Sequence, residues 1–213
     1  MGIISIDDQP ISATFFKEGR WLTEFVTPDS MEIKELYGEL TKGIPSGAAR
    51  VEALHRWVST EVKYKDFIKA KLWVEGKSST NPDVWLSPSL TKRVKVGNCA
   101  SKSFLLASLL RNELSPGEVH VVLGNLHNGK AEGFGHAWVQ VKLDERAYIV
   151  ESTRPDVPAL VLASVADRYE AVHFFNDKTA YAIEGRTIME PFSRDYSTWL
   201  KDYLDFAYIK GEK

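Results

Sequence analysis

The sequence predicts an α+β fold in which a buried helix packs on a mainly antiparallel sheet. Three observations carry this expectation. Apolar residues recur at helical spacing as far as Asn112. One of these segments, Ala100 to Asn112, is apolar nearly all round, which places it inside the molecule. After Ser115-Pro116-Gly117 the apolar period falls to two, the period of strands. Helices followed by strands make an α+β domain.

Taken in order, the first thirty or so residues are mixed, with Trp21, Leu22, Phe25 and Val26 as apolar anchors. Pro28-Asp29-Ser30 reads as a turn with Ser30 as N-cap, and Met31 to Leu40 as the helix it starts. Gly43, Pro45 and Gly47 mark a loop. Ala48 to Tyr64 follows as a second helix, apolar at Val51, Leu54, Trp57, Val58 and Val62. Gly76 to Pro88 is polar and punctuated by two prolines, so it is expected to be mostly loop. Gly97-Asn98-Cys99 opens the buried helix, whose apolar residues include Phe104, Leu105, Leu106, Leu109 and Leu110. Strands are expected at Val119–Leu123, Ala137–Leu143 and Ala147–Glu151, with a hairpin across Ala171–Phe175 and Thr179–Ile183. Tyr196 to Tyr208 reads as a last amphipathic helix. A chain of 213 residues suits one domain, with a core over about 48–155, a helical lead-in and a C-terminal extension that covers the site or offers a partner surface.

Composition narrows the function classes. A net charge of −2 gives no electrostatic case for a nucleic-acid or membrane partner. No apolar run reaches the ~20 residues of a membrane span, and Met1–Pro10, with Asp7 and Asp8, lacks the pattern of a signal peptide. The protein is therefore read as soluble and cytoplasmic. A single cysteine excludes an intramolecular disulfide and a zinc site built on several thiolates.

That cysteine is the first candidate for chemistry. A free thiol, with a pKa of about 8.5, is a poor nucleophile until it ionises. Cys99 follows Asn98, a good N-cap type, at the start of the buried helix, where free amides and the helix dipole favour an anion. The same amides, first that of Cys99 itself, are placed to donate to an oxyanion. A lone cysteine is otherwise an inert small hydrophobe.

His136 opens an alternating segment in which it shares a face with Trp138, Gln140 and Lys142. Glu151 ends an apolar strand, where a buried acid needs a partner. Asp144-Glu145 suits the turn between the two strands. A two-residue loop pairs Leu143 with Arg146 and makes His136 and Glu151 diagonal neighbours on one face; a four-residue loop puts them directly opposite each other, and a three-residue loop puts them on opposite faces. A site built from both residues thus predicts an even-numbered loop. The roles would then be nucleophile for Cys99, proton carrier for His136 and orienting carboxylate for Glu151.

These residues resemble the transglutaminase-like superfamily of papain-type thiol enzymes, and within it the bacterial transglutaminase-like cysteine proteinases. The matching stretches are Gly97-Asn98-Cys99 with the helix after it, Gly135-His136-Ala137-Trp138-Val139, and Tyr148-Ile149-Val150-Glu151-Ser152-Thr153. Trp57-Val58 and Tyr64 upstream, and Asp83-Val84-Trp85 with Pro88, are similar to the lead-in of such proteins. The resemblance implies a papain-like, transglutaminase-core fold and a Cys99–His136–Glu151 triad acting on a peptide or protein substrate without a cofactor. Glu151 departs from the usual aspartate, and Ala100-Ser101 replaces an acidic residue that often follows the cysteine. No acidic cluster suggests a calcium site. The cysteine-to-histidine separation is much shorter than that of papain itself.

Trp85 is a candidate for lining the groove or donating to the oxyanion, and equally for anchoring a loop. Trp138 is a candidate for shielding His136 from water. His120, His127 and Glu132 match no metal-ligand spacing, and Lys92-Arg93 with Lys95 reads as a solvated face. Three functions fit: thiol hydrolysis of peptide-like amides, amine acyl transfer through the same intermediate, and a non-catalytic binding module on the same fold.

Overall fold

The computed structural model describes residues 2–6, 9–13, 22–66, 68, 70–74, 77–81, 84–129, 133–189 and 199–212. Trp21, Asp83, Glu132 and residues 196–198 lie outside them.

Five α-helices and twelve strands are described: β1 (Gly2–Ile6), β2 (Gln9–Ala13), α1 (Met31–Thr41), α2 (Ala48–Glu61), β3 (Lys63–Tyr64), β4 (Ala70–Val74), β5 (Lys77–Asn81), α3 (Pro88–Val94), β6 (Val96–Gly97), α4 (Cys99–Leu110), β7 (Val119–His127), β8 (Gly133–Leu143), β9 (Arg146–Val150), β10 (Val161–Leu162), β11 (Tyr169–Phe175), β12 (Ala180–Ala182) and α5 (Trp199–Gly211). The main sheet has the order β10-β9-β8-β7-β11-β12 and is antiparallel throughout.

Every residue of α4 is buried. One of its sides meets the sheet through Val119, Val121, Val139, Val141 and Phe175, and the other meets Ile33 and Leu36 of α1 and Val51, Leu54 and Val58 of α2. The opposite face of the sheet, with Val122, Leu126, Trp138 and Ile149, is covered by Tyr203, Leu204 and Ala207 of α5. Helices, sheet and helix thus form three layers, and α4 is apolar all round because it has neighbours all round.

The β8–β9 hairpin turns on two residues. Leu143 pairs with Arg146, and Asp144 and Glu145 have φ of 46° and 63°. Both are left-handed, as a two-residue turn with the twist of its strands requires. The ladder runs back to Val139 opposite Val150, and the next step along it sets Trp138 opposite Glu151.

Three elements differ from the sequence reading. Residues 76–88 hold β5 and the start of α3 as well as loop, and the mixed N-terminus holds β1 and β2. These strands form a second sheet, β2-β1-β4-β5. Its edge strand β5 reads Lys-Ser-Ser-Thr-Asn, and an edge strand without an apolar face leaves no period-two signal. The α2 helix ends at Glu61, short of Tyr64, because Lys63–Tyr64 pairs in parallel with Val96–Gly97. The buried Lys102 ammonium caps this end of α2, donating to Val62 O (2.6 Å) and Ser59 O (3.2 Å).

Gly124 of β7 lies opposite His136 and beneath Trp138. A Cβ there would stand 2.2 Å from Glu170 O and 2.6 Å from the Trp138 ring. Gly124→Ala is therefore expected to destabilise the fold by about 3 kcal/mol, since backbone on one side and a packed indole on the other cannot yield cheaply. Urea denaturation of the variant checks this.

Candidate active site

The thiol, the imidazole and the carboxylate come from three elements that meet at one end of the sheet. Cys99 is the first residue of α4. Asn98 caps the helix: its Oδ1 accepts from Ser101 N–H (3.0 Å) and from the Ser101 hydroxyl (2.7 Å). The Ser101 hydroxyl oxygen also accepts from Leu86 N–H (2.9 Å), which ties the loop before α3 to the helix that Cys99 begins. The first amides of such a helix have no helical acceptor.

His136 lies on β8. Its Nε2–H donates to Glu151 Oε2 at 2.8 Å, with both side chains fully buried. The Cys99 thiol hydrogen-bonds the same imidazole, and since Nε2 is committed to Glu151, Nδ1 is the nitrogen left for sulfur. Burial disfavours a charged imidazole, but the Glu151 carboxylate and the Cys99 contact outweigh it and raise the His136 pKa. Burial likewise pushes the Glu151 carboxyl up, and His136 with the Thr153 hydrogen bonds more than reverses that, so its pKa is lowered.

Glu151 has a full set of donors. Oε1 accepts from the Thr153 amide (3.0 Å) and hydroxyl (2.6 Å), and Oε2 from Tyr169 Oη–H (2.8 Å) besides His136. Its carbonyl accepts from His55 Nε2–H of α2 (2.8 Å), and burial holds the His55 pKa down, in keeping with a neutral ring. Ser103 joins the three elements: its hydroxyl donates to Ala137 O (3.2 Å) and lies 3.1 Å from the Ser152 hydroxyl. Behind Tyr169, the Tyr203 ring of α5 stacks at 6.4 Å.

Cys99, His136 and Glu151 are thus brought together. Trp138 stacks on His136 with ring centroids 5.9 Å apart and is 1% exposed. Trp85 is half-buried in an aromatic cluster, edge-on to Phe25 (5.7 Å) and to Phe104 (5.5 Å). Sequence reasoning missed Tyr169, Thr153, His55 and Ser103. Thr153 alone had a local signal, two residues after a buried acid. Among the described residues no three His, Cys, Asp or Glu side chains are grouped to hold a metal ion. His127 instead bonds Glu170 (3.1 Å), and His120 packs against Phe174 and Tyr181. No helix among the described residues is long and apolar enough to cross a membrane.

Residues 34–151, more than half of the chain, match the sequence profile of the Transglutaminase-like superfamily (Transglut_core). The chain belongs to this superfamily. The match ends at Glu151 and spans all three residues of the site. Among solved structures, the chain is similar to Legionella pneumophila LapG in an EGTA-treated form: 13% identity, TM-score 0.51, covering 89% of this chain and 93% of that one. A calcium-bound form of LapG gives 14% identity and a TM-score of 0.49, covering 90% and 96%. At 13% identity the likeness to the EGTA-treated form is one of fold, and it agrees with the α+β, papain-like reading. No curated protein matches the sequence.

The buried pair fixes how stability responds to pH. The His136 pKa is raised above its ordinary 6.5, so its contribution is complete below 6.5 and is lost as pH rises through the folded value. The Glu151 pKa is lowered below its ordinary 4.5, so its contribution is complete above 4.5 and is lost as pH falls through the folded value. The difference in unfolding free energy between wild type and Glu151→Gln is therefore expected to be largest between about pH 4.5 and 6.5 and to shrink on either side. Denaturant titrations across that range measure it.

Proposed function

We propose that the protein is a thiol hydrolase that cleaves peptide or amide bonds in a peptide or protein substrate through Cys99, His136 and Glu151. One observation carries the reading: a single imidazole held between the only thiol and a carboxylate that is itself fully hydrogen-bonded. The Cys99 thiolate attacks the carbonyl carbon, and the amides at the start of α4 receive the oxyanion. The C–N bond breaks as His136 passes its proton to the departing amine, leaving an acyl-thioester. Water, giving a proton to His136, then attacks the thioester, and the C–S bond breaks to release the acid and restore the Cys99 thiolate beside the His136 imidazolium. Glu151 holds the ring orientation throughout and stabilises the imidazolium. A lone thiol with this task suits a reducing compartment such as the cytoplasm.

Amine acyl transfer is the second reading. It is favoured by the depth of the site: Cys99 and His136 are 0% and Glu151 1% exposed, and exclusion of water lets an amine compete for the thioester. Product masses from a glutamine-containing peptide, with and without added amine, separate the two.

The first test is iodoacetamide labelling of Cys99 against pH. As Cys99 is the only cysteine, the signal has one source. Labelling that persists below about pH 7 and is lost in His136→Ala is expected of a thiolate–imidazolium pair, whatever its absolute rate, whereas labelling only near or above about pH 8.5, unchanged in the variant, removes the proposal. Tyr169→Phe keeps the ring and loses the hydroxyl bonded to Glu151. It is expected to slow turnover about tenfold, as measured in the assay that the labelling justifies.

A further inference from the structure

Between β12 and α5 the chain makes a crossing with its own recognition pattern. Thr187 and Met189 are hydrogen-bonded through their main-chain groups. Asn125 Nδ2–H donates to Thr187 O (2.9 Å), Asn125 Oδ1 accepts from Met189 N–H (2.7 Å), and Gly135 N–H donates to Met189 O (3.0 Å). In an extended chain, the carbonyl of one residue and both backbone groups of the residue two further on point to the same side. Those are the groups bonded here.

The slot is built to hold them. Asn125 is 2% exposed, and its amide orientation is fixed because Nδ2 also donates to Glu170 Oε2 (2.9 Å), which turns Oδ1 toward the Met189 amide. Gly133 makes room, since a Cβ there would stand 2.8 Å from Met189 Sδ. The slot adjoins the site: Gly135 precedes His136, and Ile188 packs against the core cluster that contains Cys99. The three site residues are sealed from solvent in this arrangement.

We propose that Asn125 and Gly135 form the main-chain subsite for substrate, and that Thr187–Met189 occupies it as a built-in mimic. The proposal rests on the reading of Cys99 as a nucleophile toward amides and adds the substrate class. That class is an extended peptide segment, recognised by its backbone, which displaces the chain's own strap and comes to lie beside His136.

The test is iodoacetamide labelling of Cys99 in wild type, Ile188→Ala and Met189→Pro, with and without the free peptide Ile183-Glu-Gly-Arg-Thr-Ile-Met189 in excess. Ile188→Ala removes packing and Met189→Pro removes the amide that Asn125 accepts. Both are expected to label on the order of tenfold faster than wild type. The peptide is expected to restore slow labelling, and the same peptide N-methylated at its last residue is not. Variants that keep the wild-type thermal transition yet label at the wild-type rate would overturn the proposal, as would equal protection by the N-methylated peptide. If Met189→Pro does not fold, Ile188→Ala decides the matter alone. Binding of the fluorescein-labelled peptide to Ile188→Ala, read by anisotropy and lost when Asn125→Ala is added, reports on the slot without using the thiol. An inert Cys99 with this binding intact sinks the hydrolase reading only; a reactive Cys99 without it sinks the slot.

Discussion

The carboxylate of Glu151 is the constraint around which the rest is arranged. A carboxylate and an imidazolium buried together lose their hydration, and their mutual attraction repays that loss only when every remaining lone pair is satisfied. The surroundings of Glu151 meet that condition from four directions: its own strand end through Thr153, the neighbouring β8 through His136, the distant β11 through Tyr169, and α2 through the His55 bond to its carbonyl. Removing Thr153, His136 or Tyr169 leaves the buried charge short of a partner, and removing His55 leaves the backbone carbonyl of the same residue short of one. The packing of helices and sheet is in this sense subordinate to one charged side chain.

The extra methylene of Glu151 fits this picture. A longer acid reaches further across the face that it shares with His136, and it has one more torsion to fix. The two Thr153 bonds to Oε1 and the Tyr169 bond to Oε2 fix it. Trp138 then closes the face over the pair.

Much of this was legible in the sequence where the signals are local. Asn98 before Cys99 announced a capped helix, the apolar run after it announced burial, and Asp144-Glu145 set a register from which the facing of His136 and Glu151 could be counted. The unread parts depend on separations that no local pattern encodes. Tyr169 reaches Glu151 because β11 returns to pair with β7, with a register shift between Ala171 and His173. His55 reaches it across 96 residues. The sheet of β1, β2, β4 and β5 escaped notice for a different reason: its edge strand β5 is polar and gives no apolar alternation. Trp85 remained open between a role in the groove and a role as anchor; it packs between Phe25 and Phe104.

The strand order also dictates when the site comes into being. Synthesis delivers α4 and its thiol before β7, β8 and β9, and those three can pair as successive neighbours. The site is still incomplete at that stage, because β11, which brings Tyr169 to Glu151, pairs back onto β7 only after β10 has emerged. Tyr203 of α5, stacked behind Tyr169, arrives later again. A chain still on the ribosome therefore carries its thiol through about a third of translation before Tyr169 has emerged to complete the hydrogen bonds of the Glu151 carboxylate. The cell makes the thiol early and completes its surroundings last.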